Sequence, residues 1–130
     1  MVNKTKVLVV DDTESVVASI AMILNDSRYD IVTADNGKEA LEIINRERFD
    51  IIVSDYHMPP GMNGIGLLLN VRNNSRPEVV HTHFILMSGG SLDYSTEELE
   101  GMCTKHGAAF LKKPFSLTGL VALLEDAGSS

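Results

Sequence analysis

Five short apolar runs alternate with amphipathic segments along this 130-residue chain, and that alternation restricts its fold more than any other feature. Lys6-Val-Leu-Val-Val10 is brief, β-branched and apolar on both sides, which predicts a buried strand. The stretch from Glu14 to Leu24 follows, with Val17, Ile20, Ala21 and Leu24 at helical spacing. Tyr29 to Ala34 reads as a second strand. Asn36-Gly37 turns the chain into a helix from about Lys38 to Arg46, with Ala40, Leu41 and Ile44 inward. Ile51-Ile-Val-Ser54 is the third strand, and Gly64 to about Arg72 a third helix with a leucine-rich face. Phe84-Ile-Leu-Met87 is the fourth strand. Ser95 and Glu98 match a capping box, which opens a fourth helix running to about Lys105. Ala109-Phe-Leu111 is a short fifth strand, stopped by Pro114. Ser116 is expected to cap a last helix in which Leu117, Leu120, Val121 and Leu124 form one stripe.

Strands that alternate with helices imply a parallel sheet covered on both faces. Right-handed crossovers favour an open, doubly wound α/β sheet, and five strands suit the flavodoxin-like order 2-1-3-4-5. With no repeat or long linker, residues 1–130 are expected to form one domain. The core must be mainly aliphatic, since there are no Trp, three Tyr and four Phe. The single cysteine, Cys103, excludes an intramolecular disulfide framework and reads as a small apolar helix residue. Neither a signal peptide nor a membrane-length apolar run is visible, so a cytoplasmic location is expected. A net charge of −7 argues against direct nucleic-acid binding, which needs a basic surface, but not against binding a metal.

In open α/β sheets, ligands bind outside the carboxyl ends of the strands. Here the first strand ends in Asp11-Asp12 and the third in Asp55. The fourth ends in Ser88-Gly89-Gly90 and the fifth in Lys112-Lys113-Pro114-Phe115. Each of these alone reads as turn chemistry or a solvated charge. Together they put complementary groups at four of five strand ends, where such sheets bind ligands. Three close carboxylates raise one another's pKa unless a cation neutralises them. Mg²⁺ suits a site with few carboxylates, several waters and a phosphate oxygen. An aspartate can attack phosphorus to give an acyl phosphate, with Mg²⁺ and a lysine balancing the charge. Ser88 and Lys113 would then meet the new phosphoryl oxygens, and a hydroxyl drawn inward would move its loop.

Val-Val-Asp11-Asp12, Asp55-Tyr-His-Met-Pro59 with Asn63-Gly64, Met87-Ser88-Gly89 and Phe110-Leu-Lys-Lys113-Pro114-Phe115 resemble the receiver domains of bacterial two-component response regulators. The resemblance runs from about Lys6 to Leu124. It implies that Asp55 accepts a phosphoryl group from a histidine kinase or histidine phosphotransfer protein. It implies Asp12 as the more direct Mg²⁺ ligand, Asp11 acting largely through water, and the His57 backbone carbonyl as a further ligand. It further implies Ser88 as the switch hydroxyl, Lys113 as the site lysine with Lys112 a solvated neighbour, and Phe110 as the switch aromatic. The partner surface would be built from the fourth predicted helix, fifth strand and fifth predicted helix, and a homodimer formed on phosphorylation is among the outcomes such a surface allows. Two departures stand out: Pro59-Pro60-Gly61-Met62 has two residues between Pro and Met where relatives usually have one, and Gly107-Ala-Ala-Phe110 looks one residue short.

Other features fit plainer roles. His81 and His83 would share a face on an extended segment, but no Cys or third His completes a metal site. His106 near a helix end suits the helix dipole, as do Glu97, Glu98 and Glu100 at a helix start. The rival class is an aspartate-nucleophile phosphohydrolase on a similar sheet. Such enzymes generally carry an acid two positions after the first, where this chain has Thr13. A flavodoxin-like FMN carrier would need a phosphate-holding first loop, and an acid pair repels phosphate. The expectation is therefore a signalling switch and not an enzyme.

Overall fold

The computed structural model describes residues 4–24, 28–89, 91, 93–113 and 117–128. The elements in chain order are β1 (Thr5–Val10), α1 (Glu14–Ile23), β2 (Tyr29–Ala34), α2 (Gly37–Ile44), β3 (Ile51–Asp55), α3 (Gly64–Arg72), α4 (Pro77–Val80), β4 (His83–Ser88), α5 (Thr96–Lys105), β5 (Ala109–Lys112) and α6 (Leu117–Gly128). All five strands are parallel, in the order β2-β1-β3-β4-β5. This is the doubly wound order expected from the alternation.

Side chains alternate across a strand, so each strand supplies two cores. Leu8, Val10, Ile52, Phe84 and Leu86 face one way, against Ala40, Ile44, Leu67, Val71, Leu99 and Cys103 from α2, α3 and α5. Val7, Val9, Ile51, Val53, Ile85 and Met87 face the other way, against Ile20, Leu24, Leu120 and Leu124. Past the first residues of β1 and β4, neither face of the central strands reaches water, which is why their sequences carry no polar alternation.

Local chemistry sets the helix starts. Asn36 caps α2 by accepting the Glu39 N–H at 2.9 Å. Ser95 and Glu98 form both halves of the capping box that opens α5. Within α2, Ile43 is buried together with Ala40 and Ile44, while Leu41, expected inward, is only partly covered. Gly90, Pro114, Phe115 and Ser116, with the helix cap expected at Ser116, lie outside the described residues, as does the side chain of Leu117.

Two features differ from the sequence reading. The one-turn helix α4 was not anticipated, so the fourth predicted helix is α5 and the last is α6. Four residues are too few for a 3.6-residue period to register; Pro77 at the first turn is its one local sign. His81 closes α4 with φ −102° and ψ 12°, so it is not extended and does not share a strand face with His83.

The amino edge of the sheet is tied by one side chain. Arg72, at the end of α3, donates from Nε to the His106 carbonyl at 2.7 Å. Its two terminal nitrogens donate to the Val80 and Thr82 carbonyls at 2.9 and 2.7 Å and to the Gly107 carbonyl at 3.2 Å. These carbonyls belong to the turns that lead into β4 and β5. Burial lowers the Arg72 pKa, yet the group stays cationic at any ordinary pH. Arg72→Met is expected to cost roughly 2 kcal/mol by leaving partly buried carbonyls unmatched, and Arg72→Lys to recover only part of it, because an ammonium lacks the planar fork. Urea unfolding of the two variants against wild type measures both effects.

Candidate functional site

The carboxyl edge of the sheet gathers the polar strand ends. Asp11 follows β1 directly, and its N–H still donates to the Ala34 carbonyl of β2 at 3.1 Å. Asp55 is the last residue of β3, and the next N–H, of Tyr56, donates to the Met87 carbonyl of β4 at 2.9 Å. Lys113 extends β5 by donating its N–H to the Ser88 carbonyl at 2.9 Å. The strand ladders thus run past their nominal ends and fix the backbones of the site residues.

Each of Asp11, Asp12 and Asp55 offers a carboxylate oxygen within 4.8 Å of the other two. Asp11 is almost wholly buried, Asp55 nearly so, and Asp12 exposed. The Asp11 Oδ1 accepts the Thr13 N–H at 2.8 Å, which folds the acid pair back over the start of α1. The Asp11 Oδ2 is buried without a hydrogen-bond partner. Lys113 Nζ stands 3.8 Å from it, close enough to attract but too far to donate. The same ammonium donates to Asp55 Oδ1 at 3.0 Å. Burial holds the Asp11 carboxyl above the ordinary range; the Thr13 N–H pulls it down, and the Asp55 charge pushes it up further. A buried acceptor with an unused lone pair, beside two more carboxylates, fits a hard cation with oxygen ligands.

Ser88 is buried at the end of β4, one residue beyond Met87, the register partner of Asp55. Phe110 pairs with Leu86 in the β4–β5 ladder and lies partly buried against the α2–α3–α5 core. It stands two residues back from the edge, away from the acid cluster. Lys112 is exposed. The His57 side chain is exposed too, at the rim of a cavity of about 280 Å³ shared with Met58, Asn63, Ser91 and Asp93.

The loop from Asp55 to α3 contains contacts the sequence did not disclose. The buried Tyr56 ring meets Tyr94 edge-on, with centroids 6.4 Å apart and planes at 84°. Asn63 works twice: its Oδ1 caps α3 by accepting the Gly66 N–H at 2.8 Å, and its Nδ2 reaches the Tyr56 hydroxyl at 3.3 Å. In the same loop Gly61 takes a φ of 100°, a conformation side chains avoid. Met62 then lies in the notch that Gly37 leaves at the start of α2, its Sδ 2.8 Å from where a Cβ would stand. Neither an aromatic pair between two loops nor a notch in a neighbouring helix has a local sequence pattern.

An open parallel sheet with three acids and a lysine at its carboxyl edge is a class that known proteins share. The family model for the response regulator receiver domain matches residues 7–125. A putative two-component response regulator of Arabidopsis thaliana, ARR21, is 32% identical over 98% of this chain, which spans 19% of that protein. The transcriptional regulatory protein GlrR of Escherichia coli is 30% identical over 92% of this chain, which covers 25% of it. The chain thus spans about a fifth to a quarter of the length of these curated relatives. The solved structure of the chemotaxis response regulator CheY4 of Vibrio cholerae superposes with a TM-score of 0.81 at 32% identity, covering 96% of this chain and 99% of that one.

The chain belongs to the receiver-domain family of two-component response regulators, with a CheY-like fold. Receiver domains typically bind Mg²⁺ at an acidic pocket, and this structure has an acidic cluster of Asp11, Asp12 and Asp55. No helix among the described residues is long and apolar enough to cross a membrane.

The raised Asp11 pKa carries a sign. A carboxyl that titrates higher in the folded state contributes stability only while protonated. That contribution is complete below its unfolded-state range and is lost as pH rises through its folded-state value. Asp11→Asn is therefore expected to stabilise the protein at neutral pH in the presence of a chelator. The gain should vanish at acid pH, where the wild-type carboxyl is already neutral. Denaturant unfolding at the two pH values tests this.

Proposed function

We propose that this chain is an Mg²⁺-dependent phosphoacceptor module in which Asp55 takes a phosphoryl group from a phosphohistidine on a histidine kinase or histidine phosphotransfer protein. The observation that carries the reading is the placement of Lys113 Nζ at 3.0 Å from Asp55 Oδ1, with Asp11 and Asp12 completing the cluster. Asp11, Asp12, Asp55 and the His57 backbone carbonyl would hold the ion. When bound, Mg²⁺ supplies positive charge that lets the carboxylates stand together and offsets charge on the transferred group.

The other steps belong to the chain's own groups. A free Asp55 carboxylate oxygen attacks phosphorus, the P–N bond to the donor imidazole breaks, and its electron pair stays on the departing nitrogen. Lys113, released from its direct pair with Asp55, meets a phosphoryl oxygen instead. The Ser88 hydroxyl donates to another phosphoryl oxygen, drawing the β4–α5 segment inward, and Phe110 shifts its packing in response. The surface altered is the α5–β5–α6 face, where the first half of α5 supplies Glu97, Glu98 and Glu100 for a partner or a second copy of the chain.

In this reading the protein is a cytoplasmic switch rather than an enzyme, and its acidic surface does not bind nucleic acid directly. The longer relatives support a setting in which a receiver acts together with further domains. Against the phosphohydrolase alternative stands Thr13, which occupies the position of a second catalytic acid and instead ties Asp11 down by its N–H.

With Mg²⁺ and a small acyl phosphate, intact-mass measurement is expected to find one phosphoryl adduct on wild type and none on Asp55→Asn. Equal adducts on both would defeat the assignment. Separately, Mg²⁺ at a hundredfold excess over its Kd should stabilise the fold by about 2.7 kcal/mol. Asp12→Ala should remove most of that gain, as read by thermal unfolding with and without the ion.

A further inference from the structure

Gly64 opens α3 directly behind the peptide of Asp55. A Cβ built there would overlap the Asp55 carbonyl oxygen, and would lie 2.5 Å from Leu86 Cδ1 and 3.0 Å from Tyr56 Cα. The positive-φ glycines among the described residues are Gly61 and Gly107, so Gly64 is needed for its space and not for its conformation. Its N–H donates to the Tyr56 carbonyl at 2.7 Å, and Asn63 pins the same turn to the Tyr56 hydroxyl and to the Gly66 N–H. Two of the three atoms crowding a side chain at Gly64 are main chain, which cannot rotate aside. The contrast within the same helix is sharp. A Cβ at Gly66 meets only the Met62 and Asn63 side chains, the nearest at 3.3 Å.

We infer that Gly64 is a positioning residue for phosphoryl transfer: its missing side chain lets α3 seat against the Asp55 peptide and sets where the acceptor carboxylate stands. The inference rests on the reading of Asp55 as the phosphoacceptor. Asp11 and Asp12 hang from β1, and Lys113 from β5. The three atoms nearest a methyl at Gly64 belong to β3, the residue after it and β4, and none to β1 or β5, so the push falls on the Asp55 peptide and not on the strands that carry Asp11, Asp12 and Lys113. Displacements of about 1 Å in such constellations cost on the order of a hundredfold in rate.

The test uses the whole chain with a small acyl phosphate at saturating Mg²⁺, reading phosphoryl uptake by intact-mass time course and stability by urea unfolding. The variants are Asp55→Asn, Gly64→Ala, Gly66→Ala, Leu86→Val and the double variant Gly64→Ala/Leu86→Val. Gly64→Ala should slow uptake by about a hundredfold, while Gly66→Ala and Leu86→Val keep the wild-type rate. The double variant relieves the side-chain contact but not the main-chain ones, so it should regain stability lost by Gly64→Ala without regaining rate. It also keeps the test valid if Gly64→Ala alone folds poorly. Wild-type uptake by a folded Gly64→Ala protein would overturn the inference. So would a double variant in which rate returns together with stability, since that describes core packing alone. No uptake by wild type, or equal uptake by Asp55→Asn, would instead remove the phosphoacceptor reading and this inference with it.

Discussion

Like charges held close at the edge of a low-dielectric core are the constraint on which the rest of this structure turns. Asp11, Asp12 and Asp55 converge to within 4.8 Å of one another, and Lys113 pairs with Asp55 and faces Asp11. One ammonium cannot neutralise three carboxylates, and burial of Asp11 sharpens the imbalance. The two buried members, Asp11 and Asp55, are held there by the strand ends that carry them, while Asp12 faces solvent. The cluster is also poised: adding a cation or an anion to it changes every interaction inside.

The fold supplies that compulsion through topology. A parallel sheet places the ends of β1, β3, β4 and β5 on one edge, and the order β2-β1-β3-β4-β5 makes these four strands contiguous. Each site residue sits on a ladder hydrogen bond or next to one, so its position follows from strand register and not from loop conformation. The loops then adjust to the edge. The Asp55-to-α3 loop turns at Gly61, rests Met62 on Gly37, and closes onto Tyr56 through Asn63.

How much of this could be read beforehand divides along the range of the interactions. Strands buried on both faces announce themselves as unbroken apolar runs. Caps such as Ser95 with Glu98 announce helix starts, because both depend on neighbours in sequence. The meeting of Asp11, Asp12, Asp55 and Lys113 was legible one step further out, since strand order plus strand ends is enough to bring them together. The one-turn helix α4 was not, being shorter than the period that would betray it. Nor were the four carbonyls held by Arg72, the Tyr56–Tyr94 contact or the crowding behind Gly64. Each depends on atoms far apart in the chain whose approach is set by packing, and no residue type at either end forecasts it.

The two edges of the sheet are built with opposite mechanical characters. At the amino edge, a single guanidinium staples the turns before β4 and β5 to the end of α3, with directional bonds in several directions at once. At the carboxyl edge, β1, β3 and β5 end in charges whose balance is incomplete. A change of charge at the acidic end therefore acts on a sheet whose opposite edge is already fixed, before β4 and β5, by directional hydrogen bonds.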